Sequence, residues 1–216
     1  MSIFTEIKQA NLIGRGGACF PVAEKWQMVK NSTGKKKYVI CNFSEGEPGV
    51  EKDGFIFENY PSTVIRGIME AIKYIQAEKG YIYINPEYHK KYQKIFKKEI
   101  KGDKIEIFKK PHEAGYIGGE ETSLLNAMEG KRIEPRLRPP FPPISGFWRC
   151  PTLINNVETF YNVGLLAKNK YEYERFYTVG GDCLNAGVYE YPDDWTIKHV
   201  LIKSGNYPHF PFFIQV

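Results

Sequence analysis

The chain has 216 residues, of which 30 are basic and 25 acidic, and 42% are hydrophobic. A chain of this length buries roughly 70% of its unfolded surface, so it needs no disulfide framework to hold a core. The net charge of +5 is not gathered in one tract, which argues against nucleic acid as a partner. The composition is that of a folded globular protein and excludes a disordered one.

Neither the cysteines nor the N-terminal residues indicate a cofactor cluster or a membrane anchor. The four cysteines include no CxxC pair, so we expect no iron–sulfur cluster or other metal site within this chain. The first residues lack the apolar run of a signal peptide, and no stretch approaches the ~20 apolar residues of a membrane span. A cytoplasmic location is therefore predicted, with no membrane-spanning segment in the chain itself.

A glycine-rich stretch, GRGGACFP at residues 14–21, is the first notable motif, and a helix is predicted after it at 22–30. Glycines let a backbone approach a ligand closely, and the free N–H groups of a following helix attract anions. Cys19 occupies the sixth position, so the motif is not the dinucleotide-binding G-x-G-x-x-G. The pattern fits both a structural turn and a phosphate-binding loop.

Strands and helices then alternate. Strands are predicted at 38–42, 81–84 and 104–108, with helices at 64–75 and around 88–96. This alternation predicts an α/β fold with a Rossmann-like parallel sheet. Ser62 is placed to cap the first of these two helices and Gly80 to end it. The lysine-rich face of the second helix is interpreted as solvated surface rather than as a nucleic-acid patch.

Two polar segments lie where such sheets bind ligands. Residues 44–49, SEGEPG, follow the first strand directly and form either an acidic surface turn or a ligand loop. Residues 118–122, GGEET, open a predicted helix through Leu124 and Met128. Acidic residues in a first turn complement the helix dipole without any function, whereas the two glycines leave room for a flat or phosphorylated ligand.

The rest of the chain is predicted as a loop, a helix and a second small unit. Residues 135–143 are rich in proline and are expected to form an ordered loop. Either Asn155 or Asn156 can cap the helix that follows. Strands at 176–179, 187–191 and 212–216, with a helix at 196–203, indicate the start of a small ββαβ domain. The predicted domains are therefore 1–170 and 171–216.

Several of these segments together resemble the flavin-carrying, NADH-oxidising subunit of respiratory complex I and its relatives in NAD-linked hydrogenases and formate dehydrogenases. The motifs are GRGGACFP, CNFSEGEPG, YIGGEETSLLNAMEGKR, PRLRPPFPPISGFW and PTLINNVET, over about residues 12–166. Residues 179–205 more loosely resemble the β-grasp (SLBB) domain of that family. The resemblance implies an FMN-binding domain followed by the start of a β-grasp domain.

The resemblance also implies the residues of the site. The glycine loop with Lys25 and both asparagines would hold the FMN phosphate, and the other residues would line the flavin. The implied FMN residues are Gly14, Arg15, Gly16, Gly17, Lys25, Asn42, Ser44, Glu45, Tyr116, Gly119, Glu120, Glu121, Asn155 and Asn156. The implied NADH residues are Phe20, Glu47, Glu121, Arg138 and Phe141. No catalytic acid or base is implied, because hydride transfer is the chemistry of the cofactor.

The chain departs from the family pattern in two ways. It lacks the C-terminal cysteine motif for a [4Fe–4S] cluster and the N-terminal extension. It also differs at individual positions of the motifs. Ser44 replaces an aspartate, Phe43 a small residue, Cys19 a glycine, Met28 an aromatic residue and Gly118 a cysteine.

Two functional hypotheses follow. In the first, the chain is an electron-transfer flavoprotein subunit, in which FMN takes hydride from NADH and passes electrons to iron–sulfur subunits of a redox complex. The iron–sulfur subunits of that complex would be the partners of this chain. If the complex is attached to a membrane, the chain would be a peripheral subunit of it. In the second, the chain is a non-catalytic module of such a complex, with or without FMN. The chain as a fragment of a longer protein is compatible with both.

Overall fold

Four parallel strands form the central sheet of the computed structural model, which describes residues 1–216. Their order across the sheet is β3-β2-β1-β4. The strands are β1 (Tyr38–Phe43), β2 (Lys79–Ile84), β3 (Ile105–Lys109) and β4 (Thr152–Asn156). All three strand pairs are parallel, with Tyr38 opposite both Lys79 and Thr152. The α/β prediction is confirmed.

Eight helices accompany the strands, and those before residue 167 cover both faces of this sheet. They are α1 (Ile3–Gln9), α2 (Val22–Asn31), α3 (Lys52–Asn59), α4 (Pro61–Ile75), α5 (Pro86–Glu99), α6 (Glu121–Met128), α7 (Val157–Leu166) and α8 (Ile197–Lys203). Alternate residues of β1 point to opposite faces, as the pleat of a strand requires. Val39 and Cys41 join a cluster of 28 buried residues with α4 and α7, while Ile40 joins a smaller cluster with α6.

The predicted ends of α4 are wrong in detail. Ser62 is not its cap, because the helix already begins at Pro61, whose fixed φ suits a first helical position. Gly80 does not end it either. The helix stops at Ile75 because Gln76 adopts a left-handed φ of 60°. Gly80 instead lies in β2, where a Cβ atom would come within 2.7 Å of Ile72 Cδ1. The glycine therefore lets the strand pass close under the helix.

The C-terminal part forms an antiparallel hairpin, β5 (Glu174–Val179) and β6 (Gly187–Pro192), followed by α8. Phe176 of the hairpin is 3% exposed and packs edge-to-face with Tyr161 of α7, so the hairpin packs directly on the α/β unit. The predicted strand at 212–216 is wrong, since these residues have no regular structure. An apolar run needs a neighbouring strand to supply its hydrogen bonds, and none lies beside it.

The proline-rich loop agrees with its prediction, whereas the domain assignment of the C-terminal part stays a prediction. Residues 135–143 form a loop without helix or strand, as predicted. The assignment of the C-terminal part to a β-grasp domain, and the boundary at 170, stay predictions. None of the helices combines the length and apolar character needed to cross a lipid bilayer.

Candidate functional site

The candidate site lies at the carboxyl edge of the sheet, where the strand order reverses. The chain passes from β1 through β2 to β3 on one side and then returns to β4 on the other. Ligands of open α/β sheets bind outside the strand ends at such a reversal. Ser44 follows β1 there, and Asn156 ends β4. Two loops border the same edge, residues 14–20 before α2 and residues 115–120 before α6.

The glycine loop presents a row of free backbone donors. Its ends are fixed, because the N–H of Gly14 donates to the carbonyl of Phe20 at 2.9 Å and the N–H of Arg15 donates to Thr159 Oγ1 at 2.9 Å. Between these points, the N–H groups of residues 16–19 donate no hydrogen bond within the chain. Gly17 has a φ of +104° and Cys19 a φ of +51°. Successive free N–H groups in a loop with positive φ angles are suited to an anion.

Lys25 brings a positive charge to this loop. Its Nζ donates to the carbonyl of Ile154 at 3.3 Å and lies 3.6 Å from the carboxylate of Glu121. The same ammonium lies 5.9 Å from the ring centroid of Phe20. The first turn of α2, the end of β4 and the start of α6 therefore meet at one point of the site.

The two asparagines at the end of β4 are held by the chain itself. The amide oxygen of Asn156 accepts from the N–H of Thr159 at 3.1 Å, which caps α7, and its nitrogen donates to the carbonyl of Arg15 at 3.2 Å. A Cβ at Gly16 would lie 3.5 Å from Asn156 Cβ. Asn155 is buried. With its amide nitrogen donating to the carbonyl of Ile154, its amide oxygen accepts from the indole N–H of Trp26 at 3.3 Å. The sequence allowed either asparagine as the cap, and the structure selects Asn156.

The guanidinium of Arg15 is directed away from the free N–H groups. It is buried and pairs with the carboxylate of Asp193 at 2.7 Å, just beyond β6. Arg15 therefore contributes its backbone to the glycine loop, while its side chain anchors that loop to the hairpin. This contact spans 178 residues of sequence, and no local pattern predicts it.

At the end of β1 the side chains clamp the second loop. Asn42 Nδ2 donates to the carbonyl of Gly119 at 2.8 Å, and Asn42 Oδ1 accepts from the N–H of Ser44 at 3.2 Å. A Cβ at Gly119 would lie 3.4 Å from Ser44 Oγ. Lys110 also belongs to this group, because its Nζ donates to Ser44 Oγ at 2.8 Å. Sequence reasoning missed Lys110, although its position directly after β3 matches that of Ser44 after β1.

Glu45 caps α3 instead of lining the open edge of the sheet. Its carboxylate accepts from the N–H groups of Asp53 at 2.9 Å and Gly54 at 3.1 Å, and from the hydroxyl of Tyr88 at 2.9 Å. Burial, together with the nearby charge of Asp53, raises the pKa of Glu45 to about 7 against these hydrogen bonds, which oppose the rise. Glu45 therefore lies among the predicted site residues but is already fully engaged.

We expect the raised pKa of Glu45 to make stability depend on pH. The folded protein binds this proton more tightly than the unfolded chain, so the free energy of unfolding should fall as pH rises from about 4.5 to about 7. A pKa difference of this size corresponds to at most about 3 kcal/mol. Urea unfolding at several pH values measures it. The slope should be smaller in Glu45→Gln and unchanged in Glu24→Gln, which alters an exposed carboxylate on α2. An equal slope in all three proteins would contradict the assignment.

The predicted NADH residues lie at the mouth of the site, which is its solvent-exposed side. Arg138 reaches the carboxylates of Glu120 at 3.6 Å and Glu121 at 3.4 Å, and its guanidinium lies 5.9 Å from the ring centroid of Phe141. Glu120 also caps α6 by accepting from the N–H groups of residues 122 and 123. The aromatic rings of the mouth remain partly exposed. They belong to Phe20 (39%), Phe141 (48%) and Tyr116 (65%).

The remaining member of this group, Glu47, accepts a hydrogen bond from the hydroxyl of Tyr116. This contact ties the turn after β1 to the loop before α6. All the predicted residues therefore lie at one edge of the sheet. The free donors are at the glycine loop, two closely packed glycines are at residues 118–119, and the aromatic side chains are at the mouth.

Several curated proteins are similar to this chain over most of its length. An NADH-quinone oxidoreductase subunit of Aquifex aeolicus (strain VF5) is 37% identical over 222 aligned positions, covering 91% of this chain and 52% of that protein. NAD-reducing hydrogenase HoxS subunit alpha of Cupriavidus necator (strain ATCC 17699) is 33% identical, covering 94% of this chain and 38% of that protein. The chain thus spans about half the length, or less, of these relatives.

A solved structure shares the fold. A chain in the crystal structure of an NAD+-reducing NiFe-hydrogenase in the H2-reduced state superposes with a TM-score of 0.82 at 30% identity. The match covers 94% of this chain and 39% of that chain. Residues 7–165 match the family model described as the Nuo51 FMN-binding domain. This match includes the whole parallel sheet and both loops of the site, and the chain therefore belongs to that family.

Proposed function

We propose that the chain binds FMN at the carboxyl edge of its sheet and serves as the hydride-accepting part of an electron-transfer flavoprotein. The observation that carries this proposal is the row of free N–H groups at residues 16–19 beside Lys25. A phosphate needs several donors and a positive charge in one place, and these residues supply both. They are the residues that would hold the FMN phosphate.

The opposite wall of the site suits a flat ring. A Cβ at Gly118 would come within 2.6 Å of Ala114 Cβ, and one at Gly119 would face Ser44. The two glycines therefore let this loop pack closely on Ala114 and Ser44, which brings the hydroxyl of Ser44 and the amide of Asn42 to the wall where we place the ring. When bound, FMN would supply the hydride acceptor. The chain would supply phosphate binding, ring orientation and hydrogen bonds.

NADH would enter at the mouth. Partly exposed aromatic rings at Phe20 and Phe141 offer stacking surfaces for its bases, and Arg138 and Glu121 offer polar contacts. The chain holds no CxxC pair, so electrons would leave to iron–sulfur subunits of a larger redox complex. We place that complex in the cytoplasm or at the cytoplasmic side of a membrane, to which this chain would be peripheral.

A second function is favoured by one observation. Asn155, Asn156 and Glu45 all find hydrogen-bond partners within the chain. The site can therefore keep its shape without a ligand, which suits a non-catalytic module of a redox complex. The two functions differ in whether FMN stays on the protein and whether NADH reduces it.

Absorption spectra distinguish them. Purified protein mixed with FMN and passed through a desalting column should keep a flavin band, and anaerobic NADH should bleach that band faster than it bleaches free FMN. If FMN is retained but NADH reduces it no faster than it reduces free FMN, the proposed flavin site stands and the proposed NADH oxidation is contradicted. A colourless protein after desalting would support the structural module.

Lys25 offers a sharper test of the phosphate site. We expect Lys25→Met to weaken FMN binding roughly 10- to 100-fold, since a hydrogen bond to a charged group contributes about 1.5–3 kcal/mol. Binding of riboflavin, which has no phosphate, should change little. Flavin fluorescence quenching measures both. Lys73→Met removes an exposed lysine near the opposite edge of the sheet and should affect neither ligand. Equal losses of affinity for FMN and for riboflavin would show that Lys25 does not bind the phosphate.

A further inference from the structure

Lys110 is a buried cation without an acidic partner. It follows β3 directly, is 7% exposed and donates from Nζ to Ser44 Oγ at 2.8 Å. It takes part in no salt bridge. Lysines are almost never buried unless they are paired, because the ammonium loses its hydration. The fold therefore tolerates a charge here that the chain itself does not neutralise.

The carboxylates of the loops that border the site have partners of their own. Glu45 caps α3, Glu120 caps α6 and pairs with Arg138, and Glu47 accepts from Tyr116. Burial lowers the pKa of Lys110, as expected for a cation without a counter-charge. An anionic or electron-rich ligand group is thus the natural partner for this ammonium.

Ser44 connects Lys110 to the site. Its Oγ accepts from Lys110, and its own O–H donates to no acceptor within the chain. The side chain lies against the glycine surface, 3.4 Å from where a Cβ at Gly119 would be. A serine that accepts from an ammonium has its proton free to donate in another direction. Ser44 follows β1 directly, so its hydroxyl lies at the carboxyl edge of the sheet, where the flavin ring is proposed.

Lys110 is closely surrounded on one side and borders a cavity on the other. A Cβ at Gly118 would lie 3.0 Å from Lys110 Cε and 3.4 Å from the hydroxyl of Tyr83, which has no hydrogen-bond partner. Lys110 also lines a cavity of about 240 Å³ with Gly46 and Tyr116, which reaches the mouth of the site. The lysine therefore sits behind the site, between its floor and this cavity.

We propose that Lys110 is a positioning residue for the flavin, acting through Ser44. It orients the Ser44 hydroxyl to donate to an acceptor atom on the polar edge of the ring and keeps a positive charge behind that atom. This inference rests on the proposed FMN site. A flavin gains electron density at its polar edge when it is reduced, so this charge favours the reduced cofactor over the oxidised one. The midpoint potential of bound FMN is raised accordingly.

The test measures the midpoint potential of bound FMN, together with the Kd for oxidised FMN. In Lys110→Met we expect the preference for reduced FMN to fall at least tenfold, a decrease of about 30 mV for a two-electron couple. Lys110→Arg keeps the charge and should stay close to the wild type. Lys109→Met removes the neighbouring exposed lysine and should leave the potential unchanged.

A second neutral variant separates charge from folding. Lys110→Gln keeps a donor for Ser44 and should also lower the potential, even if Lys110→Met folds poorly. An unchanged potential in a folded neutral variant that still binds FMN would overturn the role of Lys110 and leave the FMN site intact. Failure of the wild-type protein to bind FMN would instead overturn both the proposed function and this inference.

Discussion

Lys52→Met is expected to lower the free energy of unfolding by about 3–5 kcal/mol. The ammonium of Lys52 lies between the carboxylates of Asp53 at 2.7 Å and Glu158 at 3.1 Å, and Glu158 is fully buried. Methionine has a similar length but carries no charge, so two carboxylates would remain in the interior without a cation. Breaking a buried pair is costly because the remaining charge is not hydrated. Urea unfolding measures the loss.

Two comparisons test the cause. Lys91→Met breaks an exposed pair with Glu58 and should change stability by at most about 1 kcal/mol. Glu158→Gln in the Lys52→Met background should recover part of the loss, because it removes one of the stranded charges. A loss in Lys52→Met no larger than in Lys91→Met would show that the ammonium is effectively solvated.

The cluster also connects the two parts of the chain. Glu158 accepts from the backbone N–H of Phe176 at 3.1 Å, so the charge that holds Lys52 also fixes the hairpin. Lys52 begins α3, whose first N–H groups are held by Glu45. The expected loss in Lys52→Met therefore includes the docking of the hairpin on the α/β unit.

The second large effect is expected at the crossing of α4 and α7. In Gly67→Ala the new Cβ would lie 1.9 Å from the carbonyl oxygen of Phe160. At the same crossing a Cβ at Gly164 would lie 2.0 Å from the carbonyl oxygen of Thr63. Both obstacles are backbone atoms, so the helices must separate. We expect a loss of roughly 3 kcal/mol in unfolding free energy, despite the better helix propensity of alanine.

This change should also reach the site. The cap of α7 is Asn156, which holds the carbonyl of Arg15 and packs against Gly16. Moving α7 therefore moves the glycine loop, and FMN retention should fall with stability. Gly187→Ala is the matched control, because the nearest atom to its Cβ lies 3.8 Å away. We expect that variant to change stability by no more than about 0.5 kcal/mol. A Gly67→Ala protein as stable as this control would mean that the two helices can shift freely.

Local patterns were sufficient for three of the four strands of the parallel sheet. Buried strands such as residues 38–43 and the 3.6-residue spacing of α4 are visible in the sequence, because each element must show an apolar face to the core. Elements with weaker patterns were missed. These are α1, α3 and β4. β4 is only five residues long and ends in two asparagines, so it carries little apolar periodicity.

The members of the candidate site could be assembled from the resemblance, but their contacts could not. The sequence does not reveal that Glu45 caps α3, that Arg15 turns to Asp193, or that Lys110 reaches Ser44. Each of these contacts joins residues from different elements. Their partners depend on which strand ends lie side by side.

By itself, the sequence determined the α/β class, three of the four parallel strands and the family, because apolar periodicity and motif order can be seen in the unfolded chain. Only the tertiary structure decided which polar groups are satisfied within the chain and which remain free. Arg15 and Ser44 both looked like ligand contacts, yet the guanidinium of Arg15 is paired while the hydroxyl proton of Ser44 is free. The physical reason is that a buried polar or charged group takes whichever partner the fold brings near, and local sequence does not encode that distance.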